Sequence, residues 1–127
     1  MNINELRVGN FVKCDRYPSK SYKIGLYDFA TYLQTSPDDY KPIPLTEEWM
    51  LKFGFVYKKN DKSNTYTLQN FRFNFVVDGK FKGKTFLSYA NTLSFENVNC
   101  RKYVHQLQNL YFALTGEELI IQKKADN

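Results

Sequence analysis

Phe71-Arg72-Phe73-Asn74-Phe75-Val76-Val77 is the stretch whose reading decides the fold. Successive side chains of an extended strand point to opposite faces, so Phe71, Phe73, Phe75 and Val77 share one side while Arg72, Asn74 and Val76 share the other. The aromatic side is built for a core. Working outward, Phe55 to Lys59, Tyr66 to Gln69 and Thr85 to Tyr89 carry the same aromatic and β-branched bias. The spacers Asn60-Asp61-Lys62-Ser63-Asn64 and Asp78-Gly79-Lys80 have hairpin-turn composition, and Thr92 to Phe95 adds a short strand. Together they predict an antiparallel β-meander.

Just upstream, Leu45-Thr46-Glu47-Glu48-Trp49-Met50-Leu51-Lys52-Phe53-Gly54 predicts a short helix. Thr46 is a natural N-cap, Glu47 and Glu48 suit the positive end of the helix dipole, and Gly54 offers a left-handed stop. Downstream, Arg101 to Thr115 predicts a long helix closed by Gly116, with Tyr103, Val104, Leu107, Leu110, Tyr111 and Leu114 in one core-facing stripe. Leu6 to Val12 reads as an opening strand with a bend at Gly9-Asn10, and Tyr22 to Leu33 as one or two strands. Thr35 to Pro44 reads as an extended connector, and Glu117 to Gln122 as a last strand. The expected architecture is a single α+β domain over residues 1–127: a meander with an N-terminal β segment, one short capped helix and one long helix packed on the sheet.

A chain of 127 residues has room for one domain, and 43% hydrophobic with 24% charged residues excludes a disordered or collagen-like polymer. Catalytic groups are scarce. The chain has one His and two Cys, with no metal-ligand spacing, so neither an enzyme nor a cofactor is expected. Cys14 and Cys100 read as free thiols, and His105, five residues beyond Cys100, has no orienting acid at helical spacing. The N-terminus lacks a signal-peptide pattern and no stretch approaches about 18 apolar residues, so a cytoplasmic protein without a membrane partner is expected.

The charge is unevenly spread. Residues 52–84 hold eight basic groups against two acidic ones, net +6, while the whole chain is +5. This segment also holds eight aromatic residues, and cations interleaved with aromatics can neutralise phosphates and stack on bases. Lys58, Lys59, Arg72, Lys80, Lys82 and Lys84 are therefore candidate nucleic-acid-binding residues. The other account is a meander whose aromatics are core and whose lysines solvate the outer face, and the regular alternation favours it.

A second candidate surface lies opposite the leucine stripe of the long helix, where His105, Gln108, Asn109 and Phe112 fall together. An aromatic ring and an imidazole among amides describe either a second packing contact with the N-terminal strands or a partner-binding face.

Two stretches carry a resemblance: Tyr40-Lys41-Pro42-Ile43-Pro44-Leu45-Thr46-Glu47-Glu48-Trp49-Met50-Leu51-Lys52-Phe53-Gly54-Phe55, and Lys102-Tyr103-Val104-His105-Gln106-Leu107-Gln108-Asn109-Leu110-Tyr111-Phe112-Ala113-Leu114-Thr115-Gly116-Glu117-Glu118-Leu119. With the Leu6-Arg7-Val8-Gly9-Asn10 start, they resemble a family of small proteins carried by phages and mobile elements of Bacteroidetes-type bacteria. The resemblance implies a mobile-element context without enzyme activity and brings no functional residues with it. In that context the leading expectation is an inhibitor of a host RNA-guided defence nuclease, of the anti-CRISPR kind, that binds the nuclease or its guide RNA. Many such inhibitors are acidic mimics of nucleic acid, whereas this chain is basic, which favours contact with the RNA of a ribonucleoprotein. The alternatives are a single-stranded nucleic-acid-binding accessory protein and a structural or virion component.

Overall fold

A computed structural model of the chain describes residues 3–18, 21–76, 78–80, 85–89, 93–96 and 103–122. The fold is α+β, and the chain packs as two compact units: Met1–Leu45 with Cys100–Leu119, and Thr46–Asn99 with Ile120–Asn127.

In the first unit, β1 (Phe11–Cys14) lies between β2 (Ser21–Lys23) and β3 (Tyr40–Lys41), antiparallel to both. The strand opens later than the sequence suggests. Gly9 has φ of +97°, a conformation open to a residue without Cβ, and the Asn10 side chain accepts the Arg7 N–H at 2.7 Å, so residues 7–10 form a turn before β1. The helices α1 (Leu26–Ala30) and α2 (Tyr32–Thr35) overturn the reading of Tyr22 to Leu33 as strands, which holds only for the end of β2. The cause is a local capping contact. Buried Asp28 bonds back to the Gly25 N–H at 2.8 Å, starting a helical turn that the aromatic composition of the segment does not suggest. Leu6, Val12, Cys14, Ile24, Leu33 and Tyr40 form the core of this unit, and Cys14 is a free thiol; Cys100 lies outside the described residues.

The long helix α4 (Val104–Thr115) packs on β1 of this small sheet. Its first N–H, on Val104, donates to the Ile43 carbonyl at 2.9 Å, and Gly116, at φ of +77°, closes it as expected. Val104, Leu107 and Tyr111 of the predicted stripe are buried, with Tyr103, Leu110 and Leu114 half-buried.

The second unit follows the expected meander closely. Strands β4 (Val56–Lys59), β5 (Ser63–Leu68), β6 (Phe71–Val76), β7 (Thr85–Tyr89) and β8 (Leu93–Glu96) form one antiparallel sheet in chain order. The helix α3 (Glu47–Lys52) precedes it, with the Thr46 hydroxyl accepting the Trp49 N–H at 3.4 Å as an N-cap. Phe71 and Phe73 are completely buried, Tyr66 nearly so, and Phe55 meets Phe73 edge-on at 5.8 Å. The last strand expected over Glu117 to Gln122 does not form. Gln122 N–H reaches the Lys52 carbonyl at 2.7 Å, but Lys52 ends a helix, which offers a spare carbonyl and no strand edge.

Candidate nucleic-acid interface

Strand alternation sorts the basic aromatic segment onto two faces. Register pairs Lys58 with Thr65 and Thr65 with Asn74, and two residues along it pairs Thr67 with Arg72. These residues share the face opposite Phe71, Phe73 and Tyr66. There Lys58, Asn60, Thr65, Thr67, Arg72 and Asn74 line an open groove of about 250 Å³. Lys58 and Arg72 stand two strands and two residues apart, which the sheet lattice makes roughly 12 Å between their Cα atoms.

The groove floor is a short hydrogen-bond chain. Asn60 Nδ2 donates to Thr65 Oγ1 at 3.3 Å, and the Thr65 hydroxyl donates to Asn74 Oδ1 at 2.8 Å. Among the described residues that line the groove there is no carboxylate and no aromatic ring. The groove can therefore hold an anion through two cations and neutral donors. The pairing of cations with aromatics read along the sequence is separated in space, because residues one apart in a strand point opposite ways.

Of the six basic candidates, the structure brings together Lys58 and Arg72. Lys59 is exposed, pairs with Asn64 and falls on the other face, where the Tyr57 hydroxyl donates to Asn64 Oδ1 at 3.1 Å. Lys80 is exposed in the turn after Asp78-Gly79, and Lys82 and Lys84 lie outside the described residues. Asn60, Thr65 and Thr67 escaped the sequence reading because their place beside Arg72 depends on hairpin register, which composition does not reveal. Asn74 was visible as a neighbour of Arg72 on the polar face.

The second candidate surface is corrected. Gln108 and His105 are each 1% exposed and cannot form an open partner-binding face. Gln108 is used on both sides of its amide: Oε1 accepts the Phe11 N–H at 2.9 Å and Nε2 donates to the Gly9 carbonyl at 3.0 Å. Asn109 accepts from Arg7 Nε at 2.8 Å and from Asn10 Nδ2 at 2.9 Å, while its own Nδ2 donates to the Glu5 carbonyl. These amides satisfy backbone groups at the entrance to β1, where no ladder partner reaches them. Phe112 stays 39% exposed, with the Arg7 guanidinium 4.4 Å from its ring centre. His105 has neither ring nitrogen hydrogen-bonded, and Nε2 lies 3.6 Å from Glu5 Oε1. Burial lowers its pKa below the ordinary histidine value against the pull of Glu5 toward the charged form.

A third polar cluster sits under α1. The buried Asp28 carboxylate accepts from the Tyr22 hydroxyl at 2.8 Å, the Tyr40 hydroxyl at 2.7 Å and the Gly25 N–H, and Arg16 donates to the Tyr40 oxygen at 2.6 Å. Burial raises the Asp28 pKa, but the hydrogen bonds from Gly25, Tyr40 and Tyr22 outweigh it and hold the carboxyl below its usual range. Burial and the bond to Asp28 push Tyr22 up to about 12, and Tyr40 shifts the same way. Every acceptor position here is filled by the protein, so the cluster is a structural brace for α1.

Among the described residues no group of His, Cys, Asp and Glu is placed to hold a metal, and no helix is long and apolar enough to cross a membrane. No protein-family model, curated protein or solved structure matches the chain.

Proposed function

We propose that the protein is a non-enzymatic binding protein that holds a nucleic-acid backbone on the polar face of its five-stranded sheet. In this reading it acts as a phage or mobile-element inhibitor of a host RNA-guided defence nuclease, docking on the guide RNA or on a mixed protein and RNA surface. The observation that carries it is the groove itself: Lys58 and Arg72 lie on one face of the sheet, in a groove whose other described lining residues are amides and hydroxyls. Phosphates fit that donor set, since guanidinium and ammonium groups bind them as charge-assisted donors. The surrounding residues 52–84 carry net +6, which adds long-range attraction for a polyanion. The link to host defence rests on the resemblance to mobile-element proteins.

The test has two measurements on wild type and on Lys58→Gln/Arg72→Gln. Binding of a labelled single-stranded oligonucleotide should be salt-dependent in wild type and weakened in the double variant. Cells carrying an RNA-guided nuclease should lose plasmid interference when they express wild type and regain it with the double variant. Oligonucleotide binding without any effect on interference would support the accessory-protein reading instead, and an absence of both would reject the groove as a nucleic-acid site.

A further inference from the structure

We infer that the groove selects ribonucleic acid over DNA by presenting Asn60 Oδ1 to a ribose 2′-hydroxyl, an inference that rests on the phosphate-binding reading above. The direction of the hydrogen-bond chain on the groove floor carries it. Asn60 Nδ2 donates to Thr65 Oγ1, and a hydroxyl has a single proton, which Thr65 sends on to Asn74 Oδ1. That order is set by the two amide orientations, Asn60 with Nδ2 and Asn74 with Oδ1 toward the Thr65 hydroxyl. Asn60 is left with its carbonyl oxygen for a ligand, and Asn74 with its NH2 group. Among the described residues neither of these atoms has a hydrogen-bond partner in the protein.

The groove therefore offers three donor sites, Lys58 Nζ, the Arg72 guanidinium and Asn74 Nδ2, and one neutral acceptor, Asn60 Oδ1. A phosphodiester backbone presents only acceptors. It satisfies the three donors and sets its oxygens against the Asn60 carbonyl, leaving that atom desolvated and unpaired. A ribose supplies the missing group, since its 2′-hydroxyl is a donor placed next to the phosphate and is the feature by which proteins tell RNA from DNA. Base amino groups are donors as well, and a uracil strand, which carries none, removes them from the comparison. Thr67, whose hydroxyl can either donate or accept, tolerates both sugars.

The decisive experiment compares the affinities of oligouridine, oligodeoxyuridine and 2′-O-methyl oligouridine of equal length. Uracil has no exocyclic amine and its ring N–H is common to all three, so the sugar alone differs. Wild type should bind oligouridine about fivefold to tenfold more tightly than the deoxy strand, the worth of one net hydrogen bond. The 2′-O-methyl strand, which keeps the oxygen and loses the donor proton, should fall to the deoxy level. Asn60→Ala should abolish the ribose preference, leaving oligouridine bound no more tightly than the deoxy strand, and Asn60 is an exposed turn residue whose truncation leaves the core intact. Equal affinity of wild type for ribose and deoxyribose strands overturns the inference while leaving phosphate binding standing. A ribose preference that persists in folded Asn60→Ala also overturns it, and binding to neither strand overturns it together with the reading it rests on. If Asn60→Ala fails to fold, the 2′-O-methyl comparison on wild type decides alone.

Discussion

The Arg7 guanidinium lies 4.4 Å from the centre of the Phe112 ring while it donates to Asn109 Oδ1 at 2.8 Å and to Glu118 Oε2 at 2.8 Å. One side chain thus ties the start of the chain to the middle and end of α4 and to the residues after it. Phe112→Ala should cost about 1 kcal/mol, because the ring is partly exposed and what it loses is chiefly the cation–π contact. Arg7→Ala should cost more, about 2 kcal/mol, since the Asn109 carbonyl and the stem packing are lost together. Urea denaturation of both variants checks the order. A Phe112→Ala loss of 3 kcal/mol or more would mean that the ring is core.

His105 should make stability depend on pH in a definite direction. Its folded pKa is lowered by burial, so below the unfolded value near 6.5 the unfolded chain takes up a proton that the folded chain refuses. The contribution is complete above that value and is lost as the pH falls from about 6.5 toward the lowered folded value. His105→Gln does not titrate and should flatten the stability profile just below about pH 6.5. A wild-type profile level across that window would contradict the burial of a neutral ring.

The Asp28 brace gives a third expectation. Asp28→Asn turns an acceptor that takes three donors into a group whose NH2 faces two phenols, and it should cost about 3 kcal/mol. Tyr22→Phe removes one of those bonds and should cost about 1 kcal/mol. Because Tyr22 is pushed up to about 12, its contribution is present below the unfolded value near 10 and declines as the pH rises through its folded one. Alkaline unfolding of wild type and Tyr22→Phe measures this. Superimposable curves would remove Tyr22 from the brace.

The meander was legible because Phe71, Phe73 and Phe75 alternate with polar residues, and local turn composition separates their neighbours. The α3 start was legible for a similar reason, since Thr46 and the two glutamates act within one turn. By contrast, α1 starts at the Gly25–Asp28 capping contact, a signal masked by the aromatic and β-branched composition of the segment, and the Tyr40 hydroxyl that also holds Asp28 comes from twelve residues away. The same limit divides the two candidate surfaces. Gln108 and Asn109 look like an open amide face until their partners at Gly9, Phe11 and Glu5, about a hundred residues away, come into contact with them. Lys58 and Arg72 were legible as charges, but their place on one face needed the β4–β5–β6 register.

Adjacent lysines on β4 offer the sharpest check on the groove, because Lys58 lines it while Lys59, one residue on, points to the opposite face. The two have the same charge and nearly the same position in sequence, so any effect of net charge alone is common to both. If phosphates bind in the groove, Lys58→Gln should weaken single-stranded oligonucleotide binding and reduce the log-log salt slope by about 0.7, the value for one phosphate contact on a single strand. Arg72→Gln should do the same, and the pair together should reduce it by about 1.4. Lys59→Gln should shift affinity slightly through the long-range field and leave the slope within error. Titrations over a series of salt concentrations, with thermal unfolding to verify that each variant is folded, separate these outcomes. Equal slopes for Lys58→Gln and Lys59→Gln would show that the segment attracts polyanions diffusely and that the groove is a solvated sheet face.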